Sequence, residues 1–238
     1  MKAPFIGAFS SRKGEDTMKL LVNAIAKFSL GLLLVGILVF LPAGTFHYPG
    51  AWLLIGLLFG PMLIAGFVMM FKSPNFLKKR LDVKEKRSAQ QGVIKFSGLM
   101  FVVGFIIAGL DFRFGWSYVA MSVRIVASLL FLFSYALYAE VMRENAYLSR
   151  TIRVEEGQKV VDTGLYGVVR HPMYAVTVLL FLMIPVILGS WYSLIAFVFY
   201  PAIIVVRLKD EEALLARELP GYTEYQQKVK YRLIPFIW

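Results

Sequence analysis

The residues Asp162-Thr-Gly-Leu-Tyr-Gly-Val-Val-Arg-His-Pro-Met-Tyr174 run directly into Ala175-Val-Thr-Val-Leu-Leu-Phe-Leu-Met-Ile-Pro-Val-Ile-Leu188. A polar turn thus feeds an uncharged, strongly apolar run, and that junction sets the reading of the whole chain. Asp162-Thr-Gly164 is a turn by composition. Pro172 suits the first position of a helix, where its missing N–H costs nothing, with His171 as the flanking cap. Such a helix would aim its orphan N–H groups and positive dipole end at Arg170 and His171, a place for a carboxylate or a phosphate. The plainer reading makes Arg170 a membrane-surface charge and His171 an ordinary cap, and spacing alone favours it slightly.

Apolar runs of the same kind recur on both sides. Of 238 residues, 58% are hydrophobic and 17% charged, and runs near 20 residues match the hydrocarbon thickness of a bilayer. The composition predicts an all-α, polytopic membrane bundle of about six spans. The net charge of +11 gathers in certain loops, as cytoplasmic loops require, so its partner is the lipid bilayer surface and not nucleic acid. Without cysteine there is no disulfide and no thiolate chemistry. Two histidines that lack HxxxH or HxxE spacing argue against a protein-held metal.

The spans fall at residues 20–41, 50–71, 96–110 and 118–141, followed by two shorter runs at 175–188 and 191–206. The first run is too long for a signal peptide and has no small-x-small cleavage site after it, so it is read as retained, with Lys27 snorkelling. Met18 is an alternative start. Residues 72–95 form the most basic loop, with Lys72, Lys78, Lys79, Arg80, Lys84, Lys86, Arg87 and Lys95 against Asp82 and Glu85. The connections 42–49, 111–117 and 189–190 are nearly bare of charge, which puts both termini in the cytoplasm and the protein in the cell or inner membrane. Arg124 lies near enough to an interface to snorkel. Residues 144–150 are expected to continue the fourth helix, and 154–162 to be extended. The last two runs form either a tight hairpin of tilted spans or a partly re-entrant pair, and Pro185 and Pro201 should kink them. A short helix at 222–230 should follow the Pro220-Gly221 break. Three regions result: a cytoplasmic segment 1–18, a four-span region 19–141, and a C-terminal region 142–238.

Arg207 and Glu211 stand four residues apart at the end of the last run, on one helix face. A salt bridge at an exposed helix end would be worth a fraction of a kcal/mol, about 0.3–0.5. The pair also lies on the membrane face of the Arg170-His171-Pro172 turn, so all these groups can converge on one cavity.

Gly164-Leu-Tyr166 with Arg170-His-Pro-Met-Tyr174, then Arg207-Leu-Lys-Asp-Glu-Glu212, then Tyr222, Tyr225 and Pro235, resembles the isoprenylcysteine carboxyl methyltransferase family over residues 140–238. The resemblance implies S-adenosyl-L-methionine as cofactor and a cytoplasmic C-terminal region that encloses it. It implies that Gln158, Lys159, Val160 and Val161 line the adenosine, that Tyr166, His171, Pro172, Met173 and Tyr174 hold the cofactor, and that Glu211 contacts it. Arg207 would face the acceptor and position a carboxylate, which makes Arg207 and Glu211 the catalytic pair. Of the two adjacent acids, Glu211 is preferred to Glu212 because it shares the face of Arg207.

Methyl transfer fits what the chain lacks, since it needs neither a metal nor an activated nucleophile, only donor and acceptor held in line. The acceptor implied is lipophilic, such as a prenylated cysteine carboxylate. Phospholipid and thiol methyltransferases look similar in this half, and the first half matches no motif. A membrane sterol or steroid reductase using NADPH is the rival enzyme reading, against which the short tail argues. A scaffold or transporter would leave His171, Arg207 and Glu211 without a joint purpose.

Overall fold

A computed structural model describes residues 5–82, 88–148, 152 and 154–238, with side-chain surroundings given from residue 17 onward and not at 88–89. The described residues are helical with no strand. In order they form α1 (Phe5–Ala43), α2 (Pro49–Lys72), α3 (Pro74–Leu81), α4 (Ser88–Phe114), α5 (Met121–Glu144), a 3₁₀ turn (Gly164–Gly167), α6 (Pro172–Leu188), α7 (Trp191–Phe197), α8 (Tyr200–Glu218) and α9 (Tyr222–Lys228). Residues 1–4 of the N-terminal segment, Lys84 to Arg87 of the basic loop, and Arg150 lie outside the described residues.

Five segments are long and apolar enough to cross a membrane: Thr17–Ala43, α2, Gln90–Phe114, α5, and the α7–α8 pair. With the shorter α6 this makes about six passes, as the sequence predicts. At 17 residues, α6 is only about 25 Å long at 1.5 Å per residue. Length matters less here because α6 runs through the middle of the bundle, with Leu180, Ile184, Ile187 and Leu188 buried. It packs chiefly on α5, and also on α2 and α7.

The C-terminal end of α6 shows how a helix can stop inside the bundle. Gly189 takes a left-handed φ of +86°, which a residue without Cβ adopts freely. Its N–H and that of Ser190 both donate to Pro185 O at 3.0 Å. Two buried carbonyls remain, those of Ile187 and Leu188, and side chains from other elements satisfy them. The Tyr48 hydroxyl donates to Leu188 O at 2.7 Å, and Arg124 Nε to Ile187 O at 3.3 Å. Arg124 therefore does not snorkel; its cation meets the negative end of the α6 dipole. Beside it, Asp111 is 1% exposed and accepts from Ser117 N, Ser117 Oγ and Ser190 Oγ at 2.7, 2.6 and 2.5 Å. Asp111 thus belongs to the last turn of α4 and not to a loop.

Other boundaries also move for identifiable reasons. The helix α5 ends at Glu144, where Asn145 turns extended and its Oδ1 accepts from Tyr147 N at 2.9 Å. An Asn side chain that satisfies the backbone in this way competes with helix continuation, so residues 145–148 do not extend it. Pro185 leaves α6 continuous, whereas Pro201 follows a break at Val198-Phe199 between α7 and α8. Proline removes the N–H that would bond to Phe197 O. The basic loop contains a helix the sequence reading missed, α3. Lys27 of α1 donates to its terminal carbonyl, Leu81 O, at 2.5 Å, so this lysine caps α3.

Candidate cofactor cleft

The starts of α1, α4 and α6 and the ends of α2, α5 and α8 share one end of the bundle, and the polar chemistry gathers there. Segment 170–171 is fixed by the tail: Arg170 N donates to Tyr231 O, and His171 N to Arg232 O, both at 2.9 Å. Pro172 follows as the first residue of α6, with His171 at the cap position and no side-chain capping bond. The His171 ring is committed elsewhere.

Its partner is Glu212, which is 5% exposed. Arg170 Nε donates to Glu212 Oε1 at 2.7 Å, His171 Nε2 lies 3.2 Å from the same oxygen, and Arg232 Nε donates to Oε2 at 2.9 Å. Arg170 Nη1 also reaches Val229 O at 2.7 Å and Lys230 O at 3.0 Å. The anion received by the Arg-His pair is thus the chain's own carboxylate. Glu212 ties α8 to the start of α6 and to the tail, and charge-assisted bonds of this kind are the strong ones. Preferring Glu211 to Glu212 overlooked this hub. The signal was the Arg170 guanidinium in a helix-start turn, a charge that demands an anion when it is buried inside a protein.

Glu211 faces another way. The Tyr174 hydroxyl donates to Glu211 Oε2 at 2.5 Å and accepts from Arg207 Nε at 3.0 Å. Tyr174 thereby stands between the two residues that the sequence paired. Arg207 Nη1 donates to Gln90 Oε1 at 3.1 Å, and Gln90 Nε2 to Asp210 Oδ2 at 2.6 Å. Gln90, fully buried on α4, fell in the loop 72–95 by the sequence reading, which gave it no signal.

These elements enclose a cleft of about 790 Å³, counting the space at its open mouth. Its wall contains Gln158, Lys159, Val160, Val161, Tyr166, His171, Pro172, Met173, Tyr174 and Glu211. Every residue to which the sequence resemblance gave a cofactor role is therefore on one surface, while Arg207 is not among the lining residues. Leu215, Leu219, Tyr222 and Tyr225 complete the wall from α8 and α9.

The tyrosines shape the polarity of that wall. Asn145 Nδ2 donates to the Tyr166 hydroxyl at 3.0 Å, and the Tyr225 hydroxyl to Tyr166 O at 2.7 Å. Burial pushes the Tyr166, Tyr222 and Tyr225 hydroxyls well above the usual phenol range, so all three are neutral near pH 7. For Tyr166 the Glu211 charge adds to that rise, while the Asn145 bond and the Arg80 charge oppose it. The Tyr222 hydroxyl is buried and has no hydrogen-bond partner. A buried hydroxyl costs about 1–3 kcal/mol when unsatisfied, and this one belongs to a residue that lines the cleft. Among the described residues no group of three or more His, Asp or Glu could hold a metal.

A family model described as phospholipid methyltransferase matches residues 122–220. The likeness to membrane methyltransferases of the isoprenylcysteine carboxyl and phospholipid methyltransferase kind is therefore shown over the segment from α5 through α8. The match begins earlier than the motifs quoted from the sequence and stops at Pro220, before α9. It supports a membrane methyltransferase and does not favour a reductase. No curated protein matches the chain.

Proposed function

We propose that this chain is an integral-membrane methyltransferase that takes its methyl group from S-adenosyl-L-methionine and passes it to a lipophilic acceptor. The supporting observation is the cleft: one wall gathers 158–161, Tyr166, 171–174 and Glu211, most of it within the matched segment. The cleft suits such a cofactor. Its wall offers apolar side chains beside an adenosine, the Glu211 carboxylate beside a positively charged methionine end, and an open hydroxyl on Tyr222.

Bound there, the cofactor supplies an activated methyl group on a sulfonium. The protein's own part is binding, orientation and exclusion of water. Gln158 to Val161, Leu215 and Leu219 would enclose the nucleoside end. Tyr166, His171, Pro172, Met173 and Tyr174 would hold the cofactor from the start of α6. Glu212 holds Arg170, His171 and Arg232 together, so it keeps that start in place without touching the ligand. Tyr174 links Glu211 on the cofactor side to Arg207, which would position the acid group of the acceptor. Gln90 holds Arg207 from α4.

For the acceptor, an isoprenylcysteine-type carboxylate suits Arg207, while the description of the matched family favours a phospholipid. Both termini are assigned to the cytoplasm of a cell or inner membrane, with 142–238 as the cofactor-binding region. The test is calorimetry of the purified protein with S-adenosylhomocysteine against NADPH, then methyl-label transfer to a prenylated cysteine acid and to phospholipid. Binding of the dinucleotide alone would reject the reading.

A further inference from the structure

Two buried side-chain polar atoms of the described residues have no hydrogen-bond partner, Tyr222 Oη and Arg80 Nη1. The first belongs to the cleft. The second does not: Arg80 lies on α3, outside the matched segment and outside the cleft wall.

Arg80 is held in place rather than loose. Its Nη2 donates to the Tyr138 hydroxyl on α5, and its guanidinium carbon lies 5.5 Å from the centre of the Tyr138 ring. The helix that carries it is anchored by Leu77, which is buried, and by Phe76, which packs with Val141, Leu148 and Tyr166. Lys27 caps its end. The adjacent Lys79 pairs with Glu155 at 3.1 Å, but no ion pair among the described residues includes Arg80. A fixed guanidinium with a buried, unspent N–H group and no carboxylate is costly unless an anion completes it. The place is suited to one. After Ser73, α3 follows directly on α2, a membrane-crossing helix, at the depth where lipid headgroups and acidic amphiphiles reach.

We propose that Arg80, fixed by Tyr138, is the receiving group of a second site, for a phosphate or carboxylate carried on a lipophilic chain. Two sources share that chemistry, a resident bilayer lipid and the methyl acceptor itself. Binding at Arg80 stands apart from the methyltransferase reading; only the assignment of the bound anion as acceptor rests on it.

The test uses the full chain in neutral maltoside micelles, titrated with dodecyl phosphate and with dodecanol as the uncharged control. Wild type is expected to bind dodecyl phosphate and not dodecanol. Arg80→Met should weaken dodecyl phosphate at least tenfold while leaving S-adenosylhomocysteine affinity unchanged. Lys78→Met, on the exposed side of α3, should change neither. Should Arg80→Met fail to fold, Arg80→Gln carries the same expectation, since it keeps N–H groups while losing the charge. Equal dodecyl phosphate affinity in wild type and the Arg80 variant overturns the site. Equal losses in the Arg80 and Lys78 variants also overturn it, by returning the effect to general surface charge. Methyl-labelled S-adenosylmethionine separates the sources. Label in the lipid extract that is lost in Arg80→Met identifies the acceptor; binding without label identifies a resident lipid. If S-adenosylhomocysteine fails to bind wild type, the methyltransferase reading falls, and the dodecyl phosphate titration still decides the site.

Discussion

The two ends of the bundle both bury charge, and they do so for different ends. At one, Asp111, Ser117, Ser190, Tyr48 and Arg124 close the C-terminus of α6. Each side chain there has a partner in another element, and the network surrounds helix ends rather than a cavity. At the other, Glu212 gathers Arg170, His171 and Arg232 in the same closed manner. Immediately beside that hub, however, the bonding is left open at the hydroxyl of Tyr222, and away from it, on α3, at the Nη1 of Arg80. Buried polar groups are normally satisfied. A closed network therefore marks architecture, and an open donor beside a cleft marks a place for a ligand. The neighbouring acids Glu211 and Glu212 show the same division one residue apart.

The largest expected effect tests the closed hub. Glu212→Ala takes their shared carboxylate from the Arg170 and Arg232 guanidinium groups and the His171 ring and should cost about 3–5 kcal/mol, the usual penalty for breaking a buried ion network. Thermal unfolding in micelles measures it, and a loss below 1 kcal/mol, small on that scale, would mean that Glu212 is no hub.

Next comes the opposite end. Asp111→Ala strands the hydroxyls of Ser117 and Ser190 and should destabilise by about 1–3 kcal/mol, with S-adenosylhomocysteine affinity unchanged. A drop in that affinity would erase the contrast between the two ends.

Glu211→Ala should do the reverse, with little change in melting and about tenfold weaker S-adenosylhomocysteine binding, some 1.4 kcal/mol. Arg207→Ala should keep cofactor affinity and lower turnover of an acidic acceptor, with Arg207→Lys a poor substitute for the planar fork. Equal losses of cofactor affinity from both would break the division of roles on either side of Tyr174.

The smallest effect is the sharpest. Tyr222→Phe removes one oxygen that has no protein partner. It should weaken S-adenosylhomocysteine severalfold, about 1 kcal/mol, while leaving the ligand-free protein no less stable. Loss of stability without loss of binding would make the hydroxyl architectural.

Much of this was legible in the chain itself. Long uncharged runs can be stable only as helices in a bilayer, so the membrane bundle and its number of passes followed from composition. The residues expected to line a cofactor site could be named only through the resemblance carried by the 164–174 and 207–212 motifs; spacing alone favoured a plain cap and a surface charge. Helix ends were read less well. Asn145 stops α5 by bonding its own backbone, and α3 hides in a loop that reads as mere charge.

The sequence by itself determined that this protein crosses a membrane in helices and that Arg170-His171-Pro172 opens one of them. Only the tertiary structure decided which anion meets that pair. Residues 170 and 212 are far apart in the chain, and a partner at that distance is chosen by packing, because adjacent acids one residue apart point to different sides of a helix. Only the fold, likewise, distinguished Arg124, spent on the carbonyl of Ile187, from Arg80, whose Nη1 stays open. Arg124 is a lone cation inside a span and Arg80 the last of three consecutive cations on α3, and what separates them is whether the neighbouring helices leave one of the guanidinium N–H groups without an acceptor.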